Sequence, residues 1–93
     1  MADVAKQKLR FDLISPFSLA EVAKSMTVGS TKHGATRYLD QPRADEEECQ
    51  MASLLRHLNE DRCGRQEDHD GFKALAAVAA RAMMILELRR RRE

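Results

Sequence analysis

The stretch Phe72-Lys73-Ala74-Leu75-Ala76-Ala77-Val78-Ala79-Ala80-Arg81-Ala82-Met83-Met84-Ile85-Leu86-Glu87 decides the fold. Alanine, leucine and methionine are strong helix formers, and neither proline nor glycine interrupts them. The spacing predicts a helix whose buried face carries Phe72, Leu75, Ala76, Ala79, Met83 and Leu86. Asp70 is the expected N-cap, and Arg89–Arg92 complement the negative end of the helix dipole. Ala74–Ala82 has little bulk, so a partner helix can approach it closely.

Working back along the chain, an acidic loop from Gly64 to Gly71 separates this helix from another. That helix starts at Asp45-Glu46-Glu47-Glu48, with Asp45 placed to cap and the carboxylates set against the positive end of the dipole. Met51, Leu54, Leu55 and Leu58 form its apolar stripe, and it runs out at Asn59–Cys63. Asp40-Gln41-Pro42 is a turn, because proline restricts the residue before it and bars a helix through it. Further back, Ser15-Pro16 precedes Ser18-Leu19-Ala20-Glu21, the S-x-x-E pattern of a capping box. Leu19, Val22, Ala23 and Met26 then recur on one helical face, Gly29 is the expected stop or kink, and Gly34 closes a turn containing Lys32 and His33. Nothing alternates as a strand. The expectation is an all-α single domain over residues 1–93, with an amino-terminal segment 1–14 and a basic tail 89–93. Three short helices make a thin core, so a homo-oligomer is expected to complete it.

Composition narrows the class. Phe11, Phe17, Tyr38 and Phe72 are the aromatic residues, which leaves the core to aliphatic side chains and favours helix packing. With 43% hydrophobic and 33% charged residues, the chain is neither disordered nor membrane-embedded. No apolar run approaches the ~20 residues that a bilayer requires, and Met1–Arg10 lacks the apolar centre of a secretory signal, so the cytoplasm is the expected compartment. Sixteen basic against fifteen acidic residues give +1, but setting aside Arg89–Arg92 leaves twelve against fifteen, a net of −3. An acidic body with a basic end disfavours nucleic acid as partner. Cys49 and Cys63 lack a framework spacing and are expected as reduced thiols.

Two patterns carry candidate chemistry. Glu67-Asp68-His69-Asp70 is the densest set of oxygen ligands, suited to a hard divalent ion, with a solvated capping turn as the plain alternative. Together with Asp45–Glu48 it spells D-x-x-E and E-x-x-D, an echo of the paired carboxylates with which all-α nucleoside triphosphate pyrophosphohydrolases hold Mg²⁺; acidic residues at a helix start also serve simply as dipole complements. Arg56-His57 offers an arginine fork beside a titratable imidazole, a pairing suited to phosphate, to which Lys8, Arg10, Lys32 and Arg37 can add if the amino-terminal segment folds back. No zinc spacing, phosphate-binding glycine loop or nucleophile triad is present.

The sequence resembles a family of small phage-borne proteins, the dATP/dGTP diphosphohydrolase amino-terminal family. The likeness is carried by Lys8-Leu9-Arg10-Phe11-Asp12-Leu13-Ile14, by Pro16, by the Lys32-His33-Gly34 turn and above all by Leu54-Leu55-Arg56-His57-Leu58, with Gly64, Asp68, Gly71 and Ile85-Leu86-Glu87 following. It extends over about residues 8–88. The resemblance implies a helical protein that handles purine deoxynucleoside triphosphates with Mg²⁺ or Mn²⁺. On the resemblance Lys8, Arg10, Asp12, Lys32, Arg56 and His57 line the nucleotide site, and Asp68 is a metal ligand or acid/base group; a hydrolase built on it is expected to hold its metal at Glu67, Asp68 and Asp70, with Asp68 and His57 as catalytic residues.

Three positions depart from the family pattern. Its H-L-x-H is Ala74-Leu75-Ala76-Ala77 here, the glutamate of its loop is Arg65, and Tyr38 stands where it has N-W. Loss of imidazoles and a carboxylate with retention of cationic groups leaves two functions of different class. One is hydrolysis of a purine nucleoside triphosphate. The other is a non-catalytic phage sponge that sequesters a nucleotide or a cyclic nucleotide signal of host defence. A helical protein-interaction module is a third.

Overall fold

The structure, a computed structural model, describes residues 7–67 and 70–93. Among them it is all-α: α1 (Pro16–His33), α2 (Arg37–Asp40), α3 (Glu46–Arg62) and α4 (Ala74–Arg91), preceded by a 3₁₀ turn at Phe11–Leu13. No strand is present among these residues, only an isolated bridge between Glu67 and Lys73. Three of the helices are long and α2 is a single turn, which the aperiodic stretch before Pro42 did not reveal.

Helix α1 starts one turn before the expected capping box. Ser15 is the cap, its hydroxyl accepting from the Ser18 backbone N–H, and Pro16 sits at the first helical position, where its missing N–H costs nothing. Gly29 does not stop the helix, since one glycine costs only about 1 kcal/mol against alanine and the flanking turns carry it. Gly34 does, at φ 94°. Asp45 occupies the N-cap position of α3 without a side-chain capping bond. The end of α3 is a Schellman closure around Gly64 at φ 90°: Arg65 N–H reaches Glu60 O at 2.9 Å and Gly64 N–H reaches Asp61 O at 3.0 Å. Helix α4 is capped by Lys73, again without a side-chain bond, and not by Asp70, whose carboxylate pairs with Lys32 instead.

Helix α4 is the central element and packs against α3 and α1. Contacts between Glu47 and Arg89, Gln50 and Arg81, and His57 and Phe72 run α3 and α4 antiparallel. The Lys32–Asp70 pair brings the end of α1 to the start of α4 as well.

The buried face of α4 is rotated from the expected one. Phe72 and Ala76 are buried as expected, but Leu75, Met83 and Leu86 are exposed, while Ala74, Ala77, Ala80 and Ile85 go inside. The helix is apolar all round, so periodicity cannot choose its phase; close approach to α3 selects the alanine side. On α1, Leu19, Ala23 and Met26 are likewise outside, Val22 is half-buried, and Ser25 faces in. On α3 the Met51, Leu54 and Leu58 positions are half-buried and Leu55 is exposed; Glu46, Gln50 and His57 are the residues fully inside.

Buried polar groups thus rival the apolar core. Apolar surface, conversely, lies outside: Leu9, Phe11, Leu13, Ile14, Phe17 and Leu19 are each between 51% and 74% exposed. No helix among the described residues is long and apolar enough to cross a membrane. The terminal arginines continue α4 to Arg91 and are engaged, Arg89 and Arg92 with Glu47, Arg90 and Arg91 with Glu87. Cys49 and Cys63 are free thiols.

Candidate functional site

Glu46 organises one side of the bundle. Its carboxylate is only 3% exposed and accepts from Arg37 at 2.8 and 2.9 Å, from the Arg43 backbone N–H at 3.2 Å and from Gln50 Nε2 at 2.7 Å. These bonds, the Arg37 fork first, hold its pKa down to about 2 against the cost of burial. The Gln50 amide, fixed by Glu46 at one end, accepts from Arg81 Nη1 at 2.7 Å with its other end. One turn of α3 and one turn of α4 are thereby stitched through a single glutamine.

Beside this network opens a cleft of about 520 Å³ lined by Arg37, Arg43, Arg56 and Arg81, with His33, Gln50 and Ser53 in its walls. Among the described residues, three of these four guanidiniums share two carboxylates: Arg37 and Arg43 pair with Glu46, and Arg56 lies 3.6 Å from Glu60. Arg81 is half-buried and has no carboxylate partner among them; its hydrogen bond goes to the neutral Gln50 amide. Burial, and then the neighbouring Arg56, pull its pKa below the ordinary arginine range. A guanidinium does not lose its proton, so the charge stays in place within the cleft. By its charge balance and its several converging planar forks, the cleft has the chemistry to accept an anion.

A smaller recess adjoins it, shared by Lys32, His33, Arg56, His57, Phe72 and Arg81. His57 is buried edge-on against Phe72, ring centroids 6.0 Å apart. Arg56 Nη2 lies 3.4 Å from His57 Nε2, and because guanidinium only donates, that nitrogen is the acceptor and Nδ1 carries the proton. Nδ1 is buried without a hydrogen-bond partner, 3.6 Å from Glu60 Oε2. Burial first, then Arg56, lower the His57 pKa, so the ring is neutral at pH 7.

The structure therefore brings Lys32, Arg56 and His57 together, with Asp70 at hydrogen-bond distance from Lys32, 2.5 Å. Arg37 joins them through the larger cleft. Lys8, Arg10 and Asp12 lie apart: all three are exposed, Arg10 and Asp12 pair with each other at 2.7 Å, and none lines the cleft or the recess beside it. Asp68 lies outside the described residues. Of its companions, Glu67 stands 3.9 Å from Lys73 Nζ and Asp70 beside Lys32, so a lysine already faces each carboxylate. No group of three histidine, cysteine or carboxylate side chains converges among the described residues.

Arg43, Gln50, Ser53 and Arg81 escaped the sequence reading. Arg81 had a signal: it is the one charged residue between Ala74 and Leu86, and a lone charge in an apolar helix must find a partner. Glu46 had none, being one of three successive glutamates.

Fold and cleft together define a small α-helical domain with a cationic groove between its helices. The chain belongs to the dATP/dGTP diphosphohydrolase N-terminal family, whose pattern matches residues 2–93, in agreement with the likeness carried by Leu54–Leu58. No curated protein and no solved structure matches the chain.

Proposed function

We propose that this protein binds a purine nucleoside triphosphate, with the phosphates in the cleft of Arg37, Arg43, Arg56 and Arg81. The observation that carries this is Arg81, a half-buried cation left without a carboxylate partner among the described residues at the centre of an arginine cluster. A polyphosphate supplies the missing negative charge and matches the planar guanidinium forks. Lys32 extends the basic wall toward the loop, and the neutral His57, locked by Arg56, holds a proton on Nδ1 behind it. Family membership supports a nucleotide as the ligand and gives hydrolysis as the activity to test.

The hydrolytic form of this proposal places Mg²⁺ or Mn²⁺ at Glu67, Asp68 and Asp70, where a bound ion would polarise a phosphoryl oxygen or lower the pKa of water. Such an ion has to compete with Lys32 for Asp70 and with Lys73 for Glu67, and this favours sequestration without turnover as the second reading. A cyclic nucleotide signal presents the same phosphate chemistry to the cleft. We further propose that a second copy covers the exposed Leu9–Leu19 surface, since soluble monomers rarely leave so many large apolar residues outside together.

Pure protein incubated with nucleoside triphosphates and cyclic oligonucleotides, with Mn²⁺ or with EDTA, decides between the two forms. Metal-dependent loss of dATP or dGTP, abolished by Asp68→Ala, establishes hydrolysis. Ligand that leaves solution and returns intact on heating establishes sequestration. A protein that neither consumes nor retains any of them refutes nucleotide binding.

A further inference from the structure

We propose that the base of the nucleotide sits in a second arm of the groove, where Ser25 on α1 and Tyr38 on α2 recognise it; the proposal rests on the phosphate reading above. The arm is lined by Ser25, Met26, Gly29, Tyr38, Ala80 and Met84, and it meets the arginine cleft at the shared residues His33, Arg37, Gln50 and Arg81. The change in chemistry along the groove is abrupt. One arm presents guanidiniums; the other presents two thioethers, an aromatic ring and small residues, the surface on which a flat, weakly polar ring is held. Its space, about 70 Å³ and open to solvent on one side, is room for the edge of such a ring. Gly29 keeps the wall low, with nothing within 4 Å of where a Cβ would stand.

Ser25 is the second observation and points to a ligand independently. Its neighbours on α1 fold their hydroxyls back on the helix: Thr27 donates to Ala23 O at 2.7 Å, Ser30 to Thr27 O at 2.8 Å and Thr31 to Thr27 O at 3.2 Å. Ser25 does not. It is 9% exposed, faces α4 and lines the groove, and its hydroxyl has no hydrogen-bond partner among the described residues. A hydroxyl not spent on its own helix is available to a ligand, and here it belongs to a residue lining an apolar recess, where a base edge supplies both donors and acceptors. Tyr38 contributes the ring. Burial and then Glu87 raise the pKa of its phenol, so it stays neutral and its ring remains a stacking surface at physiological pH.

The two arms separate by ligand. Wild-type protein, Ser25→Ala, Tyr38→Leu and Tyr38→Phe are each titrated with dATP, dGTP and inorganic tripolyphosphate. Wild type is expected to bind a nucleoside triphosphate more tightly than tripolyphosphate. Ser25→Ala loses about three- to tenfold of the nucleotide affinity, and Tyr38→Leu on the order of tenfold. Tyr38→Phe keeps it, and all the variants keep tripolyphosphate affinity, which also reports that they are folded. Tripolyphosphate bound as tightly as nucleotide by wild type, or an unchanged nucleotide-to-tripolyphosphate ratio in both Ser25→Ala and Tyr38→Leu, overturns the base arm and leaves the phosphate cleft standing. Failure of wild type to bind any of the three ligands overturns the phosphate reading, and the base arm with it.

Discussion

Replacing Glu46 by alanine tests the buried network at its centre. The carboxylate is titrated down from 4.5 to about 2 by Arg37, Gln50 and Arg43. At 1.36 kcal/mol per unit, the native surroundings favour the ionised form by about 3 kcal/mol. Glu46 is buried, so solvent screens little of this, although Arg43 is itself exposed and contributes less than Arg37. Removing the carboxylate also leaves two arginines uncompensated beside Arg81, and breaking a buried pair from one side typically costs about 3–5 kcal/mol. For a domain of this size, a loss of about 3 kcal/mol lowers Tm by roughly 12–24 °C.

The sign with pH follows from the lowered pKa. The stabilisation is complete above pH 4.5 and is lost as pH falls through about 2, so the wild-type and Glu46→Ala melting curves should converge in acid. Melting followed by far-ultraviolet circular dichroism between pH 7 and pH 2 measures both effects. Added tripolyphosphate should restore part of the loss, because it binds the freed guanidiniums in the native state. A variant that melts within a few degrees of wild type at pH 7, or a gap that persists unchanged at pH 2, refutes the network as the organiser of this side of the bundle.

Other predictions concern the cleft and its surroundings. Because the His57 pKa is lowered in the fold, stability should fall as pH drops below about 6.5, where the unfolded imidazole takes up its proton and the buried one resists. His57→Gln should flatten that part of the Tm-against-pH profile, and a profile unchanged by the substitution contradicts it. Arg56→Ala should weaken triphosphate binding about tenfold or more and reduce its salt sensitivity, measured by titration at two ionic strengths; unchanged affinity removes Arg56 from the site. Leu13→Asp should shift an oligomer to monomers in light scattering, whereas a wild-type protein that is already monomeric contradicts a self-association surface.

What was legible in the chain follows from how local each signal is. Ser15-Pro16 and Gly64 mark helix ends through backbone requirements that short stretches express, and α3 and α4 begin and end close to the expected residues, whereas α1 runs past the expected stop at Gly29 to Gly34. Arg56-His57 stands out because a cationic pair interrupts a leucine stripe and because the surrounding block resembles the family. The phase of α4 was not legible, since a helix apolar on every side offers no contrast and packing distance makes the choice. Helix α2 is one turn long, too short for periodicity to register, yet it delivers Arg37 and Tyr38 to the groove. The partnership of Glu46 with Arg37, Gln50 and, through Gln50, Arg81 joins three helices across 44 positions of sequence, and no local pattern encodes it.

The most direct test of the account is the affinity of wild type and Arg81→Met for dGTP, measured by calorimetry at low and moderate salt. Methionine keeps the length and apolar stem while removing a half-buried charge that has no carboxylate partner among the described residues, but it also leaves the buried Gln50 Oε1 without its donor, so stability should fall by about 1–3 kcal/mol and the domain should remain folded. Binding should weaken by about 10–100-fold as a charge-assisted contact to phosphate is lost. Wild-type protein that takes up dGTP with a salt-dependent affinity, against an Arg81→Met variant that is still folded at the assay temperature and scarcely binds, is the predicted result. Equal affinity in the two proteins would contradict it.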